Sequence, residues 1–587
     1  MGIELNSPTG RNLMARKQKL ELTWIGKETR PKLEPRIFLE DSGWSYHASH
    51  RVGDSDLFDN RLIFGDNLLA LKALEQEFSG KVKCIYIDPP FNTQQAFEHY
   101  DDCLENSLWL TLMAERLHIL RGLLSEDGLI WIHLDDNQVH RCKCVCDEIF
   151  GPDQFISSVI WEKSDSPRMD ADFFSSRHDT ILVFAKNRDT ATINRFPADD
   201  DDIPEHYNRT DDSNRRYYTK PLRAMGGQGD TRKARPNLYF GIEAPDGSMI
   251  YPKKQDGTDG AWRWGEEKVK NEADRIEWVD GRNGWTPYYR IYAENRRERP
   301  PETIWFHEDV GSNRTSKAEV KKLLPKEVAF GTPKPEKLLE RVIHISTNPG
   351  DCVLDSFAGS GTTGAVAHKM GRRWVMVELG EHCHTHLIPR LREVIDGNDQ
   401  GGVSSANQWK GGGGFRYYTL GPSLLEEDEF GNWIINKKYN PEMLAEAMCK
   451  LEGFTYAPST DFYWQHGHST ETDFIYVTTQ TLTREQLVKL SDEVGPNRSL
   501  LICCGAYRIR KVEDFPNLTL KKIPLAVMSK CEWGKDDYSL EIKALPDAPE
   551  PEPDEFEEVL QDLPKNKRKA RKVLDQQASL FALEDAE

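Results

Sequence analysis

Cys352-Val353-Leu354-Asp355-Ser356-Phe357-Ala358-Gly359-Ser360-Gly361-Thr362-Thr363-Gly364 carries a short strand signal through a glycine-spaced turn into a helix signal. Glycines at this spacing let a backbone approach a ligand closely and leave free amides at the helix N-terminus. Glu378 closes the next strand signal, 19 residues after Gly359, where a carboxylate can accept both hydroxyls of a ribose. The context therefore points to a nucleoside site in an α/β sheet. Gly361-Thr362-Thr363 lacks the lysine of a triphosphate-binding loop, which argues against a nucleotide triphosphatase. Asp355, just ahead of the loop, would repel a pyrophosphate and could receive an ammonium group. S-adenosylmethionine has that ammonium and no phosphate, whereas a nicotinamide dinucleotide has the reverse.

A second segment, Ile87-Asp88-Pro89-Pro90-Phe91-Asn92-Thr93, follows the strand signal Val82–Ile87. Two prolines fix φ and remove two amide donors, so the Asp88 carboxylate and the Pro89 carbonyl are presented as paired acceptors. An exocyclic amine offers two N–H donors to such a pair. The N6 lone pair of adenine is delocalised into its ring, and holding both hydrogens would localise it toward a methyl sulfonium; this is catalysis by positioning and electrostatics. Phe91 supplies a face on which a base turned out of the duplex can stack. The catalytic set expected from sequence is Asp88, Pro89, Pro90 and Phe91.

Regular α/β alternation begins near Arg61 and dissolves near Asn187, then resumes near Pro335. Strands are expected at Leu62–Phe64, Val82–Ile87, Leu129–His133, Ile156–Trp161, Thr180–Phe184, Cys352–Asp355 and Trp374–Glu378, with helices at Asn67–Glu77, Ser107–Leu124, Glu336–Ile345 and Thr362–Met370. This divides the chain into an N-terminal arm (1–60), a catalytic half (61–190), a β-rich insert (191–300), a cofactor-binding half (301–410), a small C-terminal α/β domain (420–545) and a largely disordered tail (546–587), acidic and then basic. Gly411 to Gly414 reads as a hinge between the last two folded parts.

The net charge of −19 weighs against nonspecific adhesion to nucleic acid. The charge is unevenly spread: residues 211–300 hold 18 Lys or Arg against 15 Asp or Glu, whereas residues 545–587 hold 6 against 12. In the insert Arg215, Arg216, Arg232, Lys233 and Arg235 are the candidate phosphate and base-edge contacts, with many of its Trp and Tyr residues forming a core. Eleven scattered cysteines without a Cys-x-x-Cys pair, and no apolar leader, describe a soluble cytoplasmic protein without a membrane span. His140 with Cys142, Cys144 and Cys146, and the run Glu381 to His386, match no common zinc spacing and read as helix; no metal is expected.

With both segments in place the chain resembles the amino-directed DNA methyltransferases of the β arrangement, in which the catalytic motif precedes the cofactor motif. It is most similar to the modification subunits of type III restriction systems. The matching residues are Gly65-Asp66-Asn67, Asp88 to Thr93, Asp127 to Ile130 with Asp135 to Asn137, Trp161-Glu162-Lys163, Phe330 to Pro335, and Asp355 to Gly364. The resemblance implies a circularly permuted, seven-stranded, Rossmann-like S-adenosylmethionine-dependent methyltransferase sheet with an inserted target-recognition region. It also implies that Asp66 and Asn67 meet the cofactor adenine, Asp355, Phe357, Gly359 and Gly361 the methionine portion, Glu378 the ribose, and Thr332 and Lys334 the carboxylate end. Phe91 stands where many members carry Tyr. Asp88 tilts the reading toward adenine N6 over cytosine N4. The expected function is site-specific adenine N6-methylation of double-stranded DNA in a restriction-modification or related defence system. The alternatives are a cytosine N4 enzyme and a catalytically silent recognition subunit of a helicase-nuclease complex; the expected partners are DNA, a second copy of the chain and such a restriction subunit.

Overall fold

The strands Val82–Ile87 and Cys352–Asp355, far apart in sequence, are neighbours in space: Val353 pairs with Cys84 and Leu354 with Ile85 in parallel register. They lie at the centre of the main sheet of a computed structural model that describes residues 21–53, 56–90, 102–169, 171, 173–197, 205–224, 230–254, 256–281, 284–293, 298–324, 330–509 and 511–538. The sheet has eleven strands among the described residues, in the order Phe38–Glu40, Gly414–Leu420, Asn60–Phe64, Arg373–Glu378, Cys352–Asp355, Val82–Ile87, Leu124–Leu134, His178–Ala185, Phe155–Glu162 and Ile304–Trp305, with Tyr46–His47 also on Gly414–Leu420. From Gly414–Leu420 to Leu124–Leu134 every pairing is parallel. His178–Ala185 runs antiparallel to both of its neighbours.

The central strands are apolar along nearly their whole length, as a parallel sheet covered on both faces requires. Ile85, Ile87, Ile130, Ile132 and Leu354 share a core with helices Asn67–Phe78, Asp102–Leu123 and Val139–Ile149. Trp131, between two of those isoleucines and so on the other face, donates its Nε1–H to Ser346 Oγ at 2.8 Å. Helix Glu336–Ser346 therefore covers the opposite face, with Thr362–Lys369 packed beside it and Ile388–Ile395 beside Thr362–Lys369.

The sheet extends beyond the strands expected from sequence because both flanks recruit distant chain. On one flank the N-terminal arm contributes Phe38–Glu40 and Tyr46–His47 and the segment after the glycine run contributes Gly414–Leu420, and on the other Ile304–Trp305 pairs with Phe155–Glu162. The run itself is not a hinge. Gly411, Gly412 and Gly413 all have positive φ, and a Cβ would meet Ile395 O at 2.8 Å from Gly411, Leu57 O at 2.6 Å from Gly413 and Tyr46 O at 2.6 Å from Gly414. Glycine is required there by close backbone approach, the opposite of a flexible joint.

Beyond that strand a five-stranded sheet, Thr455–Tyr456, Gly467–His468, Asp473–Leu482, Ser499–Tyr507 and Leu518–Lys522, carries helices Pro441–Glu452 and Arg484–Val494. The second helix starts on a capping box between Thr483 and Gln486. The chain divides into two compact units, Asn194–Pro301 and the remainder. The smaller unit holds a four-stranded antiparallel sheet, Ile276–Gly281, Gly284–Tyr292, Arg216–Pro221 and Arg209–Thr210. Its core is Leu222, Ile242, Trp262, Trp264 and Val269. Residues 1–20 of the arm and the tail 546–587 lie outside the described residues. Among the described residues no helix is long and apolar enough to cross a membrane.

Candidate active site

Four neighbouring parallel strands each end in a carboxylate: Asp66 just past Asn60–Phe64, Glu378 on Arg373–Glu378, Asp355 on Cys352–Asp355 and Asp88 after Val82–Ile87. At roughly 4.8 Å per strand the row spans about 14 Å along the carboxyl edge of the sheet, the edge at which open α/β sheets bind ligands. Each acid is held differently.

Asp355 is buried, and each oxygen has one donor: Phe357 N gives to Oδ1 at 2.9 Å and Thr363 Oγ1 to Oδ2 at 2.6 Å. Burial pushes its carboxyl up to about 7, against those two hydrogen bonds and helped by the charges of Asp88 and Glu378. One donor per oxygen leaves acceptor capacity for a cation. Gly361, at φ 76°, turns the chain into helix Thr362–Lys369.

Glu378 behaves in the opposite way. Burial works to raise its carboxyl, but His382 and the amides of Gly380 and Gly359 outweigh it and hold it below the usual carboxylate range. Gly359 N donates to Oε2 at 2.6 Å, and Leu379 N and Gly380 N donate to Oε1 at 2.9 Å each. His382 Nε2 lies 3.1 Å from Oε1, and its imidazole is raised in turn by that carboxylate against the effect of burial. The ribose acceptor expected from sequence thus also latches the glycine loop.

Asp88 is half-buried and ion-paired with Lys334. Its Oδ1 is buried with no hydrogen-bond partner among the described residues. Pro90 O accepts from Trp109 Nε1 at 2.9 Å, which pins the second proline to helix Asp102–Leu123. Phe91 lies outside the described residues. Lys334 closes on Asp88, the carboxylate within its reach, so it links the two motifs; its carbonyl accepts from Thr362 Oγ1 at 3.1 Å. Arg390 gives a hydrogen bond to the same hydroxyl at 2.7 Å and pairs with Glu336 at 2.9 Å. Buried Lys369 sits between Glu336 and Asp399 at 2.7 and 2.6 Å. Thr332 is exposed.

Asp66 and Asn67 are already committed. Asp66 caps helix Asn67–Phe78 by accepting from Leu68 N and Leu69 N at 2.9 and 3.0 Å, while its Oδ2 accepts from Tyr538 N at 3.0 Å. Asn67 Nδ2 donates to Ser356 O at 2.7 Å and its Oδ1 accepts from Arg116 Nε at 2.5 Å. Asn67 is a bridge from the Asp66 turn to the Asp355 turn. Sequence reading missed His382, Arg390, Arg116 and Tyr538. Only His382 had a local signal, four residues after Glu378 at the start of the expected helix; the others are brought in by long-range packing.

In the smaller unit, Arg215 pairs with Asp211 at 2.7 Å and lies 4.2 Å over the Tyr292 ring. Arg216 Nε donates to Tyr207 O at 3.1 Å. Arg232 pairs with Asp259 at 3.1 Å and covers Tyr239. Lys233 and Arg235 are exposed. Arg232 and Lys233 line an open depression with Thr231, Pro236 and Asp259. Cys142, Cys144 and Cys146 lie on helix Val139–Ile149, and the histidines after Glu381 enter a wide helical turn, Cys383–Leu387, that leads into helix Ile388–Ile395.

Comparison with known proteins agrees with this geometry. The chain is similar to the type III restriction-modification enzyme EcoPI Mod subunit of Escherichia phage P1, 29% identical over 436 residues that cover 65% of this chain and 65% of the relative. It is 31% identical over 425 residues to the probable type III restriction-modification enzyme HindVI Mod subunit of Haemophilus influenzae, covering 63% of this chain and 55% of that one. The DNA adenine methyltransferase YhdJ of Escherichia coli is 23% identical over 330 residues, which cover 56% of this chain and 82% of the relative. The chain thus spans between about half and two thirds of the length of the two Mod subunits. The model of the DNA methylase family matches residues 82–388, more than half of the chain, with both the Asp88 and the Asp355 segments inside the match, and the chain belongs to that family.

Proposed function

We propose that this chain is a site-specific DNA adenine N6-methyltransferase that takes its methyl group from S-adenosylmethionine and works in a restriction-modification system. The observation that carries the reading is the adjacency of the Asp88-Pro89-Pro90 and Asp355-to-Gly361 segments on neighbouring strand ends, joined by Lys334. The residues suit the cofactor. Asp355 keeps acceptor capacity for its ammonium, the glycine loop opens amides at a helix start, and Glu378 is held ionised beside them. S-adenosylmethionine would supply an electrophilic methyl sulfonium; Asp88 and the Pro89 carbonyl would orient the amine of a flipped base, with Phe91 as its stacking face.

The seven strands from Asn60–Phe64 to Phe155–Glu162 form the permuted methyltransferase core in this reading, with the flanking strands as additions. Residues 191–300 are the target-recognition region, and Arg215, Arg216, Arg232, Lys233 and Arg235 its DNA contacts. Similarity to type III Mod subunits supports a restriction partner, and similarity to an adenine methyltransferase supports adenine over cytosine. The test is transfer of labelled methyl from S-adenosylmethionine to unmethylated DNA followed by nucleoside analysis. N6-methyladenine is expected. N4-methylcytosine would transfer the mechanism to the other base, and cofactor binding without transfer would favour a recognition subunit.

A further inference from the structure

The Asp66 carboxylate stands in the row of strand-end acids, yet its outer oxygen faces the chain's own C-terminal segment. Tyr538 N donates to Asp66 Oδ2 at 3.0 Å, and the guanidinium of buried Arg116 lies 3.5 Å from the same oxygen while donating to Tyr538 O at 3.3 Å. The Tyr538 ring packs against the core cluster that also receives Phe357, the residue after Ser356 in the glycine-loop turn. Glu532 N donates to Lys32 O at 2.8 Å, Gly534 N to Ser423 Oγ at 2.8 Å, and Arg36 donates to Lys535 O at 3.1 Å and Asp536 Oδ1 at 2.6 Å. Arg36 is itself buried against Glu34 at 3.0 Å. Lys535 to Asp537 are exposed. The strap is therefore fastened along its length, by Lys32, Ser423 and Arg36 ahead of the Tyr538 contact on Asp66.

A main-chain N–H on a buried strand-end carboxylate is the same donor chemistry as an amine at the edge of a purine. We propose that residues 532–538 are a displaceable strap over the nucleoside end of the cofactor pocket, in which the Tyr538 amide holds the place of the cofactor's exocyclic N–H on Asp66. The inference rests on the S-adenosylmethionine reading above. Its consequence is thermodynamic: cofactor binds only the fraction of molecules with the strap released, so its apparent affinity is lowered by that fraction. Fastening through Arg36 and Ser423 ties the release to the packing of the small C-terminal sheet, since Ser423 and Leu424 both give hydrogen bonds to Glu34 and Leu424 shares a core with Ile475, Val477 and Leu501 of that sheet.

Two full-length variants separate the strap from a mere wall. Tyr538→Pro deletes the amide donor, and Tyr538→Ala keeps it while removing the ring. S-adenosylmethionine affinity is measured by titration calorimetry without DNA, and thermal unfolding verifies that each variant is folded. The strap predicts that Tyr538→Pro binds at least 10-fold tighter than the parent and that Tyr538→Ala gains less. In the parent, hydrogen exchange at the Tyr538 amide should speed up when cofactor is added. Equal or weaker binding by a folded Tyr538→Pro, or unchanged exchange at Tyr538 in a parent that binds cofactor, overturns the strap. If parent and variants all fail to bind S-adenosylmethionine, the methyl-donor reading itself fails, a result distinct from either.

Discussion

Asp355 and Glu378 end adjacent strands, yet burial prevails in one and hydrogen bonding in the other. Asp355, raised to about 7 by burial, keeps its proton through a range in which the unfolded chain, with an aspartate near 3.9, has lost it. Its contribution to stability is therefore fully present below about pH 4 and is lost as pH rises through 7. The difference corresponds to at most about 4 kcal/mol, from roughly 1.36 kcal/mol per pKa unit. The unfolding temperature of the parent should fall more steeply between pH 4 and 7 than that of Asp355→Asn; parallel curves would show that Asp355 is not the group. A cationic cofactor favours the ionised form, so binding near pH 7 should release a proton and strengthen as pH rises. Calorimetry in buffers of different ionisation enthalpy measures that release directly, and proton uptake would contradict the assignment.

At the scale of elements, the strands Val82–Ile87 and Cys352–Asp355 were legible to the residue because local signals bound them: largely apolar runs that each end at a turn headed by an aspartate. Gly414–Leu420 was not legible. Four consecutive glycines carry no propensity for order, and their need for glycine arises from Leu57, Ile395 and Tyr46, none of them local in sequence. The glycine loop was legible, but the polar cluster that holds it was not, because Lys369, Glu336, Asp399 and Arg390 are each ordinary helix or turn residues until they are packed together. Lys369→Met should strip buried Asp399 of its cation and leave Glu336 to Arg390 alone, at a cost of about 3–5 kcal/mol. Denaturant unfolding checks this, and a loss below about 1 kcal/mol would show the cluster to be incidental. Gly361→Ala should destabilise by about 1–3 kcal/mol, since the backbone is left-handed and the new Cβ would lie 2.8 Å from Leu387 Cγ.

For the whole molecule, the unit Asn194–Pro301 is closed at its base: Phe196 and Arg299 exchange hydrogen bonds at 3.0 and 2.9 Å, so its two ends leave side by side. Replacing residues 194–301 with a short Gly/Ser linker should leave a folded protein that binds cofactor with its usual affinity. DNA methylation should fall more than 100-fold, and the salt dependence of residual DNA binding should flatten. Retained site-specific methylation would remove the recognition role from this unit. The central claim is that the two halves of the chain make one site in which Asp88 acts on the base and not on the cofactor. It is tested most directly by single-turnover transfer of labelled methyl to unmethylated DNA by Asp88→Asn at saturating S-adenosylmethionine. The account predicts a rate at least 1,000-fold below the parent (about 4 kcal/mol of lost transition-state stabilisation) with cofactor affinity unchanged within about threefold. A rate within about tenfold of the parent would contradict it.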